Sequence, residues 1–151
     1  MKEYGLIRDA YSETEKYYIK SIDDAVSRND RARHLRILEL SRISEYAYFV
    51  LLWGQFEAFI NDKAFETEGD SFEELGFMLR VRLTVSPTHE YYSEIDRYYY
   101  WRCEIAHGRI SEFPELTLPT IFDKIEEITE AIDKNPLPLG EDFVDLFKDE
   151  D

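Results

Sequence analysis

Fifteen residues, 46–60, run Tyr-Ala-Tyr-Phe-Val-Leu-Leu-Trp-Gly-Gln-Phe-Glu-Ala-Phe-Ile. On a helix this stretch is apolar on nearly every side. Such a helix cannot lie on a surface and has to be covered on several sides, by its own bundle or by a partner. It falls short of the ~20 apolar residues a membrane-spanning helix needs, and it carries Gln55 and Glu57, so no membrane association is expected. Ser44, Ala47, Gly54 and Ala58 form a ridge of small residues along it, where another helix can approach closely.

The rest of the chain supplies the helices to surround it. Ile7, Ala10, Tyr11, Thr14, Tyr18, Ile22, Ala25 and Val26 recur at spacings of three and four, which predicts a first helix over 4–28. Asn29-Asp30 is a weak stop. A second helix is expected over 31–65, basic at first (Arg31, Arg33, His34, Arg36, Arg42) and then apolar. A polar break follows at 66–70. Ser71-Phe-Glu-Glu74 has capping-box spacing and predicts a short third helix fading near Thr84. Ser86-Pro87 predicts a fourth helix, with Ser as N-cap and Pro at the first helical position, running to His107 and stopped by Gly108. After a loop at 113–117, Pro119 opens a fifth helix to Lys134, with Ile121, Phe122, Ile125, Ile128 and Ile132 on one side.

No convincing strand or repeat is visible, and the fold class expected is all-α, a bundle of four to five helices. The domain should span 1–140, followed by an acidic tail at 141–151 with six acids and one Lys. Length agrees, since 151 residues suit one domain with a real core. Lys and Arg number 18 against 33 Asp and Glu, a net charge of −15. That surplus repels phosphate backbones at long range and argues against a general nucleic-acid coat protein, though not against a locally basic site. The single cysteine, Cys103, cannot form an internal disulfide, and a cysteine-rich zinc site is excluded. Both points suit a reducing compartment. With no apolar run near the start, no signal peptide is expected and the location read is cytoplasmic.

Glu57 is the only charge in 46–60, where a carboxylate is expensive unless it is paired or faces a cleft. The fourth helix offers a partner. Tyr91, Ile95, Tyr98, Arg102 and Ile105 share one stripe, so Arg102 is an isolated cation on an apolar face. Arg97, Tyr100, Glu104 and His107 form a second, more polar stripe. His107 follows Arg102 by five residues, about 140° round the helix, and both can line a cleft opening between the stripes. Cys103 and His107, four apart, are two ligands and do not make a zinc site, so no metal is expected. The basic residues at 31–42 either guide a nucleic acid or form a solvated face.

Arg102-Cys-Glu-Ile-Ala-His107-Gly108, closing a helix, resembles the signature of HEPN domains: an Arg, four to six residues, then a His. Trp53-Gly-Gln-Phe-Glu57-Ala-Phe-Ile-Asn61 is similar to the long preceding helix of several HEPN families, which carries an acid facing the motif. The resemblance covers roughly residues 1–134. It implies an HEPN-like bundle that dimerises with the two motifs facing each other. Many members are metal-independent RNases, often toxins or phage-defence effectors, so it also implies an RNA substrate and an antitoxin partner. Arg102 and His107 map onto the motif as catalytic residues. Glu57, Cys103 and Glu104 stand as supporting residues, and Arg97, Arg109 and Tyr100 as RNA contacts. Two departures are visible. Cys103 stands where Asn, Asp or His often follows the motif Arg. Arg109 stands where toxins paired with nucleotidyltransferases often carry Tyr.

An RNase reading is chemically self-consistent. Cleavage by the RNA's own 2′-OH needs a base, an acid for the leaving oxygen, and positive charge on the phosphate. One His and one Arg per chain, doubled in a dimer, supply all three with no cofactor. The alternatives are a non-catalytic HEPN module binding nucleotide, RNA or a partner protein, and a structural oligomerisation domain.

Overall fold

The computed structural model describes residues 2–110 and 116–140. The tail at 141–151 and most of the loop expected at 113–117 lie outside the described residues. The chain runs α1 (Lys2–Ser27), α2 (Arg31–Glu68), a 3₁₀ segment (Gly69–Glu74), α3 (Phe77–Arg82), α4 (Glu90–Ala106) and α5 (Leu118–Lys134). The fold is an all-α bundle. Extended pairing among the described residues is limited to one isolated parallel bridge, Val85 with Leu139.

Asn29, in the left-handed region at φ 55°, turns α1 into α2. Asp30 then caps α2, its carboxylate accepting from the Arg33 N–H at 3.0 Å. α2 is 38 residues long against 17 each for α4 and α5, so it is the mast on which the others pack. It crosses the polar stretch expected to break it and ends only at Gly69, whose φ of 62° turns the chain off the helix axis. α1 lies along α2, with the Tyr48 phenol bonded to Thr14 Oγ1 at 2.7 Å. α5 runs antiparallel on α1. Arg8 reaches Asp123 at 2.9 Å and Glu126 at 3.1 Å, and Tyr4 meets Thr129 at 3.3 Å.

Two expected helix starts are corrected. Ser71 does not cap a third helix. Its hydroxyl donates to the Glu68 carbonyl at 2.7 Å, and the segment winds as 3₁₀ before the extended Gly76 separates it from α3. Arg80 ties these pieces down, donating to Leu75 O at 2.9 Å and Asn61 Oδ1 at 2.7 Å. Likewise, Ser86-Pro87 does not begin α4. Ser86 N–H is drawn to Leu139 O at 2.7 Å and Leu139 N–H to Thr84 O at 2.9 Å, which holds 84–86 out of helical geometry. The cap is His89, whose Nδ1 accepts from Tyr91 N–H at 3.2 Å. Gly140 makes this junction possible. Its φ is 88°, and a Cβ there would lie 3.1 Å from His89 Cβ and 3.2 Å from Ser86 Cβ.

The apolar stretch of α2 is covered on one side only. Phe49, Leu52, Trp53, Phe56 and Ile60 are buried against Val81, Ile95, Tyr98, Phe122 and Ile125. On the other side Ala47, Gly54 and Ala58 are exposed, as are Val50 at 38% and Leu51 at 55%. Among the described residues nothing covers this second face.

Several tyrosines stay neutral because the fold resists their ionisation. Burial raises Tyr4 and Tyr98, and pushes Tyr11 up to about 12. The hydrogen bond to Glu127 comes first in holding Tyr91 at about 12. Folded values above the ordinary ~10 mean that this stability is complete below about pH 10 and is lost as pH climbs through the folded values. Tyrosinate absorbance at 295 nm should lag that of unfolded chain and rise together with loss of helical circular dichroism, between about pH 10 and 12. Full ionisation by about pH 10.5 with the helices intact would contradict this coupling.

Candidate functional site

α4 lies across α2 through aromatic contacts that set its register. Phe49 meets Tyr98 and Trp101 at centroid distances of 6.4 and 6.3 Å, and Trp53 stacks on Tyr99 at 6.4 Å. Phe77 of α3 closes on Tyr99 at 5.0 Å. With Trp53 against Tyr99, the next turn of each helix places Glu57 beside Arg102. Arg102 Nε stands 4.0 Å from Glu57 Oε2. The isolated acid and isolated base of the sequence are thus brought together.

The pair sits near the surface, not in the core: the side chains are 40% and 28% exposed. Breaking it is therefore expected to cost on the scale of surface pairs, up to about 1 kcal/mol. The 3–5 kcal/mol typical of truly buried pairs, roughly, does not apply. Tyr99 belongs to the same patch. Burial first, then the Cys103 thiol beside it, raise its phenol, while the Arg102 cation acts the other way. Cys103 is half-buried. Helical spacing in the sequence did not single out Tyr99 from the aromatic run 98–101. The signal that marks it is its position three before Arg102 and four before Cys103 on one helix, which puts all three within one turn.

His107 occupies the C-cap of α4, its N–H pointing back to the carbonyls of Cys103 and Glu104 at 3.1 and 3.2 Å. Its side chain is exposed. Among the described residues the ring makes no hydrogen bond, ion pair or ring contact, and it does not touch Arg102 or Glu57. Gly108 then turns back at φ 73°. This return carries Arg109 onto Glu104, with Nη1 3.3 Å from Oε1 and the Arg109 N–H bonded to Glu104 O at 3.1 Å. Glu104 is thus engaged by Arg109 rather than aimed at His107. Arg97 pairs with Glu94 and lies over the Tyr98 and Trp101 rings at 5.5 and 5.3 Å. Tyr100 is exposed.

The basic residues of early α2 stand apart from Arg102. Arg33 reaches Asp24 at 3.3 Å, and Arg42 donates to the Ile110 carbonyl at 2.9 Å. A concavity of about 650 Å³ opens elsewhere, between Lys63, Arg82, Thr84, Asp133 and Asn135. Among the described residues no group of three His, Cys, Asp or Glu side chains is placed to hold a metal ion, and no helix is long and apolar enough to cross a membrane. No family model, curated protein or solved structure matches the chain.

Proposed function

We propose that this chain is an HEPN-like endoribonuclease, acting as a homodimer on single-stranded RNA in the cytoplasm as a toxin or defence effector restrained by an antitoxin protein. One observation carries the reading. Arg102 stands 4.0 Å from Glu57 where α2 and α4 meet, both partly exposed, and the unengaged His107 is exposed at the end of the same helix, five residues on and about 140° round it. In this reading Arg102 holds the scissile phosphate, its guanidinium oriented by Glu57. His107 moves the proton between the 2′-OH and the leaving 5′-oxygen, with the partner copy's His107 in the opposite role. Arg109 and Tyr100, both exposed near the end of α4, are the flanking RNA contacts. Arg97 is less available, being held by Glu94 and two rings.

The test is incubation of the purified protein with end-labelled single-stranded RNA in EDTA. The expected products carry 2′,3′-cyclic phosphate and 5′-hydroxyl ends, and DNA of the same sequence stays intact. Cys103 in place of a better hydrogen-bonding side chain favours the second reading, a module that binds RNA or a partner without cutting. RNA bound but uncut, by the wild type and by Cys103→Asn alike, would establish that reading instead.

The bare face of α2 supports the homodimer. Leu40, Ile43, Ala47, Val50 and Gly54 follow a three-four-three-four spacing, the seam of a helix pair, and all five are exposed. A Cβ on Gly54 would meet nothing within 4 Å, so a second helix can come close there. The next position on the line is Glu57, which brings a two-fold partner to the edge of the proposed site. At micromolar concentration sedimentation should give at least twice the 18.0 kDa of one chain, and Val50→Asp should remove one association step. A lone 18.0 kDa wild-type species would contradict it.

A further inference from the structure

The α1–α2 hairpin outruns the bundle. Glu15 and Pro119 line one small cavity at the start of α5, and Arg42 bonds the Ile110 carbonyl just beyond α4. Past these levels, among the described residues, α1 (16–27) and α2 (31–41) pack on each other, forming an arm about 18 Å long at 1.5 Å per residue. Its own core is slight, with only Ala25 and Ile37 buried among its apolar side chains.

The stripes that the bundle covers continue uncovered along this arm. On α2 the line Tyr46, Phe49, Trp53, Phe56, Ile60 is buried, yet its upstream members Leu35 and Leu38 are 53% and 45% exposed. On α1 the line that meets α5 through Tyr4, Arg8 and Tyr11 continues as Ile19 and Val26, both exposed. Leu38 lies about 200° round the helix from Leu40, so this surface is on the far side of α2 from the Leu40–Gly54 seam. A two-helix arm with bare apolar lines on the side where the body stacks further helices is half of a four-helix bundle.

We infer that the arm docks against the arm of a second copy, pairing Ile19, Val26, Leu35 and Leu38 of one chain with those of the other across a two-fold axis. The charges select a second copy over a one-signed partner. Arg31, in line with Leu35 and Leu38, and Asp23, beside Ile19 and Val26, have no ion-pair partner among the described residues. A two-fold contact can set each Arg31 against the other chain's Asp23, because the same patch serves both sides. RNA or an acidic peptide would leave Asp23 facing like charge. The inference is independent of the RNase reading. Combined with the α2 seam it gives each chain two two-fold contacts, which close at four copies when the two axes cross at right angles.

Sedimentation equilibrium on the full chain tests it. Wild type should sediment as four or more copies, Val50→Asp as two copies joined by arms, Leu38→Asp as two copies joined by seams, and Val50→Asp with Leu38→Asp as one. Ile19→Lys, on the other helix of the arm, should reproduce Leu38→Asp. Both sites are exposed, so helical circular dichroism should match wild type. A Leu38→Asp protein of wild-type mass, or a single-copy Val50→Asp protein, overturns the arm contact. A single-copy Leu38→Asp protein overturns the seam and leaves the arm standing. Loss of RNA binding in Leu38→Asp without a change of mass reassigns the surface to RNA and also overturns the proposal.

Discussion

His107→Ala should lower RNA cleavage by about 10²–10⁴-fold, the usual contribution of a positioned acid or base, with the melting temperature unchanged. The separation of the two readouts follows from where the ring stands. It is exposed at the C-cap of α4, and what the helix end requires of this residue is its backbone N–H, which alanine keeps. Arg102→Lys should also fall, because an ammonium cannot offer phosphate the two parallel N–H groups of a guanidinium. Glu57→Gln should weaken cleavage less and raise the RNA concentration needed, since the carboxylate orients Arg102 without reaching substrate. Cys103→Asn should match or exceed the wild-type rate, as the amide offers a donor and an acceptor beside Arg102 where the thiol is poor at both. Equal activity in wild type and His107→Ala would remove the histidine from the mechanism.

How much of this was legible in the sequence depended on whether the deciding contact was local. α1, α2 and α5 announce themselves by apolar spacing, and their ends fall within a few residues of expectation. The start of α4 does not. Ser86-Pro87 carries every local mark of a helix start, but Leu139, more than fifty residues away, pairs with 84–86 and passes the cap to His89. The one-sided burial of 46–60 was hidden for a different reason. Both faces are apolar, so periodicity says that each needs a cover and cannot say which cover lies in the same chain. Glu57 and Arg102 were legible because each is the lone charge on its stripe. The Glu104–Arg109 pair was not, because Gly108 folds the chain back between them and helical spacing ceases to apply. Tyr99 was masked by the run of four aromatics at 98–101, which the sequence treats alike and the fold sends in different directions.

Trp53→Ala should destabilise the protein by roughly 3–5 kcal/mol, the scale for emptying a fully buried aromatic site. The indole is completely buried and is ringed by Phe49, Phe56, Phe77 and Tyr99, at centroid distances from 5.3 to 6.5 Å. Side chains of α2, α3 and α4 all lean on it, so the surrounding chain cannot collapse cheaply into the space. For a domain of this size the melting temperature should drop by about 10 °C, at some 2–4 °C per kcal/mol. Trp53→Phe separates packing from polarity. Among the described residues the Trp53 Nε1–H has no acceptor, so phenylalanine removes an unsatisfied buried donor along with part of the ring. The two effects oppose each other, and the net cost should fall well below that of Trp53→Ala, since phenylalanine leaves the smaller cavity. The aromatic face against Tyr99 survives in that variant, so Arg102 keeps its support and RNA cleavage should be retained. In Trp53→Ala the Tyr99 ring loses its platform, and cleavage should fall even at temperatures where the protein is fully folded. A Trp53→Phe protein as unstable as Trp53→Ala would show that the indole N–H is satisfied after all, most simply by a buried water.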